Sequence, residues 1–391
     1  MSRHPEGRFV GTRVSAFGGL LLASGMLGAS PPLRDDERVR FYDTVASQAS
    51  DGHWRYCVDG WTFEPEARPG AALVLATVLG IDREALDAAE RRRFDARTRL
   101  FLADDERGKS LSLTLHGVAE PLRLPRSDSE GRITHCFDLS QSPPSGRWWP
   151  FRRADAMPGA GRSAVASTTS GRNSDANGDA EGRALVLPAE GVSIVSDIDD
   201  TIKDTRVLER REMLLNTFVR PFKPVPGMAA AYQAIDADTF EGGNDNGTRF
   251  HYLSGSPHPL QPALAGFLRA EGFPEGSLHL REVEVIEDLF GETGTFAHKR
   301  AVLDALLAAA PARRFVLVGD SGERDPEIYG ATARAWPGRI LAIRIRDVTG
   351  ESREAARYVE AFRDIPEDLW AVFRDPAALR DDAAWRAATA R

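Results

Sequence analysis

Through the first third of the chain, apolar and polar positions alternate in short runs. Residues 54–63, 71–79, 98–102, 111–118 and 133–139 are separated by Gly, Pro and acidic residues, a pattern that predicts short strands of an antiparallel β domain. One stretch breaks the alternation. Residues 82–96, rich in Ala, Glu and Arg, predict a helical insertion between two strands. From about Asp155 to Gly182 the apolar period gives way to Gly, Ser, Ala and Asn, which bury too little to order the backbone and predict a flexible linker. Beyond Ala184 the period changes again. Apolar runs at 192–196, 249–253, 314–318 and 340–345 alternate with helical periodicity over 211–218, 227–235, 262–270 and 299–309. Such alternation predicts an α/β domain around a mostly parallel sheet. The expected organisation is a leader over 1–30, a β-rich domain over 31–153, a linker over 154–183, and an α/β domain with a C-terminal helical segment over 184–391.

The leader has a composition of its own. Arg3, Arg8 and Arg13 precede an apolar run over 14–29 that Gly and Ser dilute, the layout of a secretory signal peptide. Export to the periplasm is the expectation, with a cytoplasmic chain carrying a disordered leader as the alternative. No later segment reaches the eighteen or so apolar residues of a membrane helix, so the mature chain is expected to have none and to meet a membrane only peripherally. A formal net charge of -8 argues against a general nucleic-acid surface. Arg91, Arg92 and Arg93 on the helical insertion can touch an anionic surface, although a solvated helix face is the simpler account. Cys57 and Cys136 both fall in strand-like runs, and either a disulfide or two buried thiols fits them.

The candidate chemistry lies where apolar strands end in polar residues. Asp197 directly follows the 192–196 run, and Asp199 shares its side if the backbone stays extended. Two acids there can divide a hydrolysis: one attacks phosphorus and becomes an acyl phosphate, the other protonates the leaving oxygen and then activates water. Crowding carboxylates against a phosphoryl group calls for a hard cation, and magnesium suits oxygen ligands best. A calcium hand is excluded, because the sixth and twelfth places counted from Asp197 hold Ile202 and Leu208.

Further groups recur downstream. Ser254 offers a hydroxyl, and the backbone around Gly255 offers an anion nest for phosphoryl oxygens. A Ser/His hydrolase built from Ser254 or Ser256 with His251 or His258 would lack the G-x-S-x-G elbow. Only four of the cationic residues are lysines, namely Lys109, Lys203, Lys223 and Lys299, and a compact ammonium suits a single phosphate oxygen. Lys299, expected at the start of a helix, is the candidate that neutralises nucleophile and phosphate, and Lys203 competes for the role. Asp320 after the 314–318 run is the candidate further metal ligand, Asp325 a supporting residue and Glu323 a lesser substitute.

Taken in order, Asp197-Ile198-Asp199-Asp200-Thr201, Ser254, Lys299 and Gly319-Asp320-Ser321-Gly322 with Asp325 resemble the four motifs of the haloacid dehalogenase (HAD) phosphohydrolases. Within that superfamily the motifs over about 185–375 look like the catalytic domain of the actin-patch-associated phosphatidate phosphatases, and Val58-Asp59-Gly60-Trp61 in the β-rich region is similar to bacterial members. The resemblance implies a HAD-like Rossmannoid sheet with helices on both faces, preceded by a smaller β-sandwich-like domain. It implies Mg2+-dependent hydrolysis of phosphatidate to diacylglycerol and phosphate, with Asp197 as nucleophile and metal ligand and Asp199 as general acid/base with its carbonyl on the metal. Ser254, Gly255 and Lys299 then hold the phosphoryl group, Asp320 completes the ligands, and Thr201 and Asp325 support them. Gly255 departs from the asparagine of many relatives. Another phosphomonoester as substrate, or a non-catalytic binding module, are the competing expectations.

Overall fold

The computed structural model describes residues 33–49, 51–65, 70–154, 181–238, 247–283, 291–380 and 382. The leader expected over 1–30 lies outside them, as does the linker expected between Asp155 and Gly182 except for its last two residues.

Nine strands of the first half join in one sheet among the described residues: β1 (Arg38–Tyr42), β2 (Thr44–Gln48), β3 (Trp54–Glu64), β4 (Asp104–Asp105), β5 (Ser112–Leu115), β6 (Leu122–Arg123), β7 (Arg132–Leu139), β8 (Trp148–Arg153) and β9 (Glu181–Leu187). Along β3 the first side chains alternate, Trp54, Tyr56 and Val58 turning inward. Tyr56 Oη donates to the Trp149 carbonyl at 2.9 Å, although β2 and β9 separate their strands in the sheet order. The sheet therefore curls around one core. β9 runs parallel to β2 and antiparallel to β8, so the expected second-domain start at Ala184 falls within a strand of the first sheet. Cys57 and Cys136 face each other across β3 and β7 and are disulfide-bonded.

Two expected strands are not strands. Residues 71–79 form helix α1 (Ala71–Val78), because an uncharged run of Ala, Leu and Val satisfies either period and tertiary packing decides. Here Leu75, Ala76 and Leu79 enter the core of the α/β half while Leu73, Val74 and Val78 face solvent. Residues 98–102 finish α2 (Ala88–Thr98) and continue as a 3₁₀ turn at Arg99–Leu102, with Thr98 Oγ1 bonded back to the Phe94 carbonyl at 2.7 Å. The helical insertion itself is as expected, and an Asp87/Glu90 capping box starts it.

The second half is an α/β layer structure. Its elements are β10 (Val192–Asp197), α3 (Arg210–Phe218), α4 (Met228–Asp238), β11 (Arg249–Pro257), α5 (Gln261–Ala270), β12 (Gly276–Arg281), α6 (Glu292–Ala309), β13 (Arg314–Asp320), α7 (Asp325–Ala335), β14 (Ile340–Arg346), α8 (Ala356–Ala361), β15 (Trp370–Phe373) and α9 (Ala377–Arg380). Among the described residues its six strands are all parallel, in the order β12-β11-β10-β13-β14-β15. Both faces are covered. Val316 and Val318 of β13 pack with Leu214, Met228 and Leu264 from α3, α4 and α5, whereas Phe315 and Leu317 pack with Leu303, Ile328 and Tyr358 from α6, α7 and α8. Burying each such side chain is worth about 1.5–3 kcal/mol, which favours the parallel sheet with helices on either side. Lys299 lies well inside α6, not at its start, because the helix begins at Glu292. The C-terminal segment, expected to be helical, also supplies the edge strand β15.

The helical insertion docks onto this layer. Arg93 Nε donates to the Val219 carbonyl at 2.7 Å, and Arg97 Nη1 to the Thr217 and Arg220 carbonyls at 2.9 and 2.8 Å. These carbonyls end α3, where cations are favourable. Arg91 and Arg92 remain exposed.

Candidate active site

Strand register brings the acidic motifs together. Ser196 of β10 lies opposite Val318 of β13, so Asp197 and Asp320 emerge from the carboxyl ends of adjacent parallel strands. On the other side Asp197 pairs with Leu253 of β11, and Ser254 follows. The crevice of an open parallel sheet lies at this edge.

A buried lysine organises the acids. Lys299 Nζ donates to Asp197 Oδ1 at 2.7 Å, Glu323 Oε2 at 2.8 Å and Asp325 Oδ1 at 2.7 Å, matching its three protons to three acceptors. Burial pushes the Asp197 and Asp320 carboxyls well above the usual range. Lys299 opposes this at both, and Asp325 and Glu323 add to it. Burial by itself would lower the lysine, but Asp197, Asp325 and Glu323 hold it well above its ordinary value. One ammonium therefore serves a region of four carboxylates.

Two carboxylate oxygens are left over. Asp197 Oδ2 and Asp320 Oδ2 are buried without a hydrogen-bond partner, as is Thr201 Oγ1. The other oxygen of Asp320 accepts from the Gly322 and Glu323 amides at 2.6 and 3.1 Å. Oxygens of Asp197, Glu323 and Asp325 lie within 4.8 Å of one another, but the Lys299 ammonium already donates to all three residues. The unpartnered oxygens of Asp197 and Asp320 are the better match for a hard cation, since buried anionic oxygens are costly unless paired.

Asp199 sits in a second polar cluster. Its Oδ1 accepts from Lys203 Nζ at 2.7 Å and Thr205 Oγ1 at 2.8 Å, and its Oδ2 from Ser254 Oγ at 2.8 Å and Ser256 Oγ at 3.1 Å. Burial acts to raise its carboxyl, but Lys203 and the hydroxyl donors outweigh burial and hold it well below the ordinary range. The loop is folded by Asp200, which adopts the left-handed conformation (φ 56°) and receives the Thr205, Arg206 and Val207 amides at 2.8, 2.8 and 2.6 Å. Short Asp side chains tolerate that conformation when they bond locally. At Gly255 a Cβ would lie 2.5 Å from Thr295 Cγ2, so Thr295 fills the space where an asparagine side chain would start.

The residues singled out in the sequence thus form two neighbouring groups. Asp197, Lys299, Asp320 and Asp325 share one, and Asp199 and Ser254 share the other. Lys203 and Lys299 each hold a different acid. Glu323 is a full partner of Lys299, and the anchoring of Asp199 by Thr205 and Ser256 was missed, although both hydroxyls lie close in sequence to residues already chosen. Neither histidine considered with the serines bonds to Ser254 or Ser256: His251 lies between Ser277 and Ser193, and His258 meets Arg132. A cavity of about 520 Å³ opens over Asp199, Ser256 and Glu323, walled by Val207, Met213, Phe296 and Ile328 and by Arg210, Arg324 and Arg357.

The region matched among known proteins spans β10 to β14. Residues 192–347 match the family described as phosphatidate phosphatase APP1, catalytic domain. An uncharacterized protein of Schizosaccharomyces pombe is 35% identical over 171 residues, covering 42% of this chain and 27% of that protein. Phosphatidate phosphatase APP1 of Saccharomyces cerevisiae is 34% identical over 165 residues, covering 40% of this chain and 26% of that protein. The chain spans about a quarter of the length of these curated relatives. A solved carbohydrate esterase aligns over 81% of this chain and 89% of its own at a TM-score of 0.21 and 12% identity, too low a likeness to bear on the fold. The family match and the yeast relative support a phosphatase. Among the described residues no helix is long and apolar enough to cross a membrane.

Proposed function

We propose that this chain is a HAD-type, Mg2+-dependent phosphomonoesterase acting on phosphatidate through an aspartyl phosphate. The observation that carries the reading is the pair of buried, unpartnered oxygens on Asp197 and Asp320 at adjacent strand ends, beside a lysine that orients Asp197. Asp197 and Asp320, with the Asp199 backbone, would hold the ion. When bound, magnesium offsets the negative charge that carboxylates and phosphoryl oxygens bring together.

The protein groups then divide the work. Asp197, its orientation fixed by Lys299, forms a bond to phosphorus while the ester oxygen departs. That oxygen takes a proton from Asp199, which is ionised in the free chain and gains this proton from the arriving phosphomonoester monoanion. In the second half Asp199, ionised again, takes a proton from the water that splits the acyl phosphate and releases inorganic phosphate. Ser254 and the Gly255 backbone meet the phosphoryl oxygens.

A lipid substrate is supported by the family match and by the apolar wall of Val207, Met213, Phe296 and Ile328 above the acids. Lipid access is from a membrane surface, and the signal-like leader favours an exported, periplasmic protein. The deciding experiment measures phosphate release from phosphatidate in mixed micelles against a panel of soluble phosphomonoesters, with magnesium and with chelator. Preference for phosphatidate is expected. Much faster turnover of a soluble ester would remove the lipid assignment, and chelator-resistant turnover would remove the metal.

A further inference from the structure

We propose that the N-terminal sheet positions the end of β11, residues 254–257 beyond its register break, by gripping His258 in a socket made of Tyr42, Asp59 and Arg132. This rests on reading that strand end as the one that meets the phosphoryl group. His258 is the first residue after β11, four beyond Ser254. Its ring stacks on Tyr42 at 4.3 Å with an interplanar angle of 26°, and its Nδ1 lies 3.0 Å from Arg132 Nη1.

The contact has a defined direction. A guanidinium only donates, so Nδ1 accepts, and the ring proton sits on Nε2. Burial and the neighbouring Arg132 keep the ring neutral. Arg132 is fixed in turn: Nη2 donates to Asp59 Oδ1 and Oδ2 at 2.9 and 3.1 Å, Nε pairs with Glu282 Oε1 at 3.1 Å, and the guanidinium covers the Tyr42 ring at 4.8 Å. β3 and β7 carry Asp59 and Arg132, and the Cys57–Cys136 bond ties the same two strands.

Such a socket does more than join two halves of the chain. Apolar packing would hold them together without selecting an orientation, whereas a planar, forked donor held by two carboxylates admits one placement of its acceptor. The strand end is also held from β12, where Arg281 Nε donates to the Gly255 carbonyl at 3.3 Å. Ser256 lies between these two anchors and Ser254 directly precedes the first, and both hydroxyls reach Asp199 Oδ2. A shift of His258 is therefore passed to the hydroxyls, and misplacement by about 1 Å can cost on the order of a hundredfold in rate.

The test compares Arg132→Met, His258→Leu, their combination, and His258→Gln, all in the full chain. Glutamine keeps one acceptor and one donor. With p-nitrophenyl phosphate and magnesium, the Met and Leu variants are expected to lose on the order of ten- to a hundredfold in kcat/KM. Inhibition by inorganic phosphate, measured well below each variant's Tm where all are fully folded, should weaken in parallel, the double variant should be no worse than either single one, and His258→Gln should recover most of the loss. Amide exchange over residues 254–260, which needs no turnover, should accelerate in Arg132→Met. Losses that merely follow Tm, or exchange and kcat/KM both unchanged in folded variants, overturn the proposal. A wild-type chain that hydrolyses no ester yet shows the exchange effect would sink the functional reading and leave the socket standing.

Discussion

Lys299 Nζ lies 2.7 Å from Asp197 Oδ1, and it reaches Asp325 Oδ1 at the same distance. The lysine is fully buried, so no solvent replaces it when it is removed. In Lys299→Met, Asp197, Glu323 and Asp325 lose their shared cation and must take up protons or repel one another. Breaking a buried pair from one side costs about 3–5 kcal/mol, and that loss of stability is expected in chemical denaturation. Turnover should vanish as well. A Met variant that unfolds at the wild-type midpoint would show that the carboxylates do not depend on this ammonium.

Asp197 and Asp199 should fail in different ways. An amide at 197 cannot form an acyl phosphate, so Asp197→Asn is expected to abolish phosphate release and to give no covalent adduct by mass spectrometry. Asp199→Asn keeps the nucleophile but loses the acid of the first half and the base of the second, and with p-nitrophenyl phosphate, whose leaving group needs no acid, only the second loss counts. It should therefore turn over slowly and accumulate the phosphorylated enzyme. Wild-type rates in either variant would refute the division of labour.

The unpartnered oxygens make a metal prediction that needs no catalysis. A ligand that binds only the folded chain stabilises it in proportion to the logarithm of its concentration, by about 2.7 kcal/mol at a hundred times its Kd. Magnesium should raise the Tm of the wild type, and the rise should be much smaller in Asp320→Asn. Equal rises would mean that the ion binds elsewhere.

Much of this was readable beforehand because strong signals coincide in the second half. Buried strands such as 192–196 and 314–318 end in Asp197 and Asp320, so period and chemistry name the same edge. Where a single signal stood alone it misled: residues 71–79 carry no charge to mark a face, and packing against the neighbouring domain made them a helix. The pairing of Lys203 with Asp199 depends on the turn set by Asp200 at positive φ, which local sequence does not specify. Contacts such as Arg132 with His258, which are 126 residues apart, leave no periodic trace at all. The position of the strand Glu181–Leu187 was hidden for a similar reason, since its partners β2 and β8 precede the intervening segment.

The disulfide should contribute through the unfolded chain. Cys57 and Cys136 are 79 residues apart, and a loop of that size implies about 4.5 kcal/mol in the chain-entropy account. Reduction, or replacement of both cysteines by serine, should lower the Tm of the oxidised protein clearly. Identical melting with and without reductant would show that the bond adds nothing to the strand pairing already present.

Buried histidines set the acid limb of stability. Burial, assisted by His298, lowers His279 to about 4, and its Nε2 lies 2.8 Å from Ser277 Oγ. An unfolded histidine titrates near 6.5, so between that value and about 4 the unfolded chain binds more protons than the folded one. The stabilisation is complete above pH 6.5 and is lost as pH falls toward 4. Because the ring is only partly buried by exposed area, its share is about 1–2 kcal/mol, less than the full shift implies. His251, fully buried between Ser193 and Ser277 and also held neutral, adds to the same slope. Denaturant midpoints measured from pH 7 to pH 4.5 should fall for the wild type and fall less for His279→Gln, whose amide can still bond to Ser277 but does not titrate. Parallel profiles for the two proteins would assign the acid sensitivity to carboxylates instead.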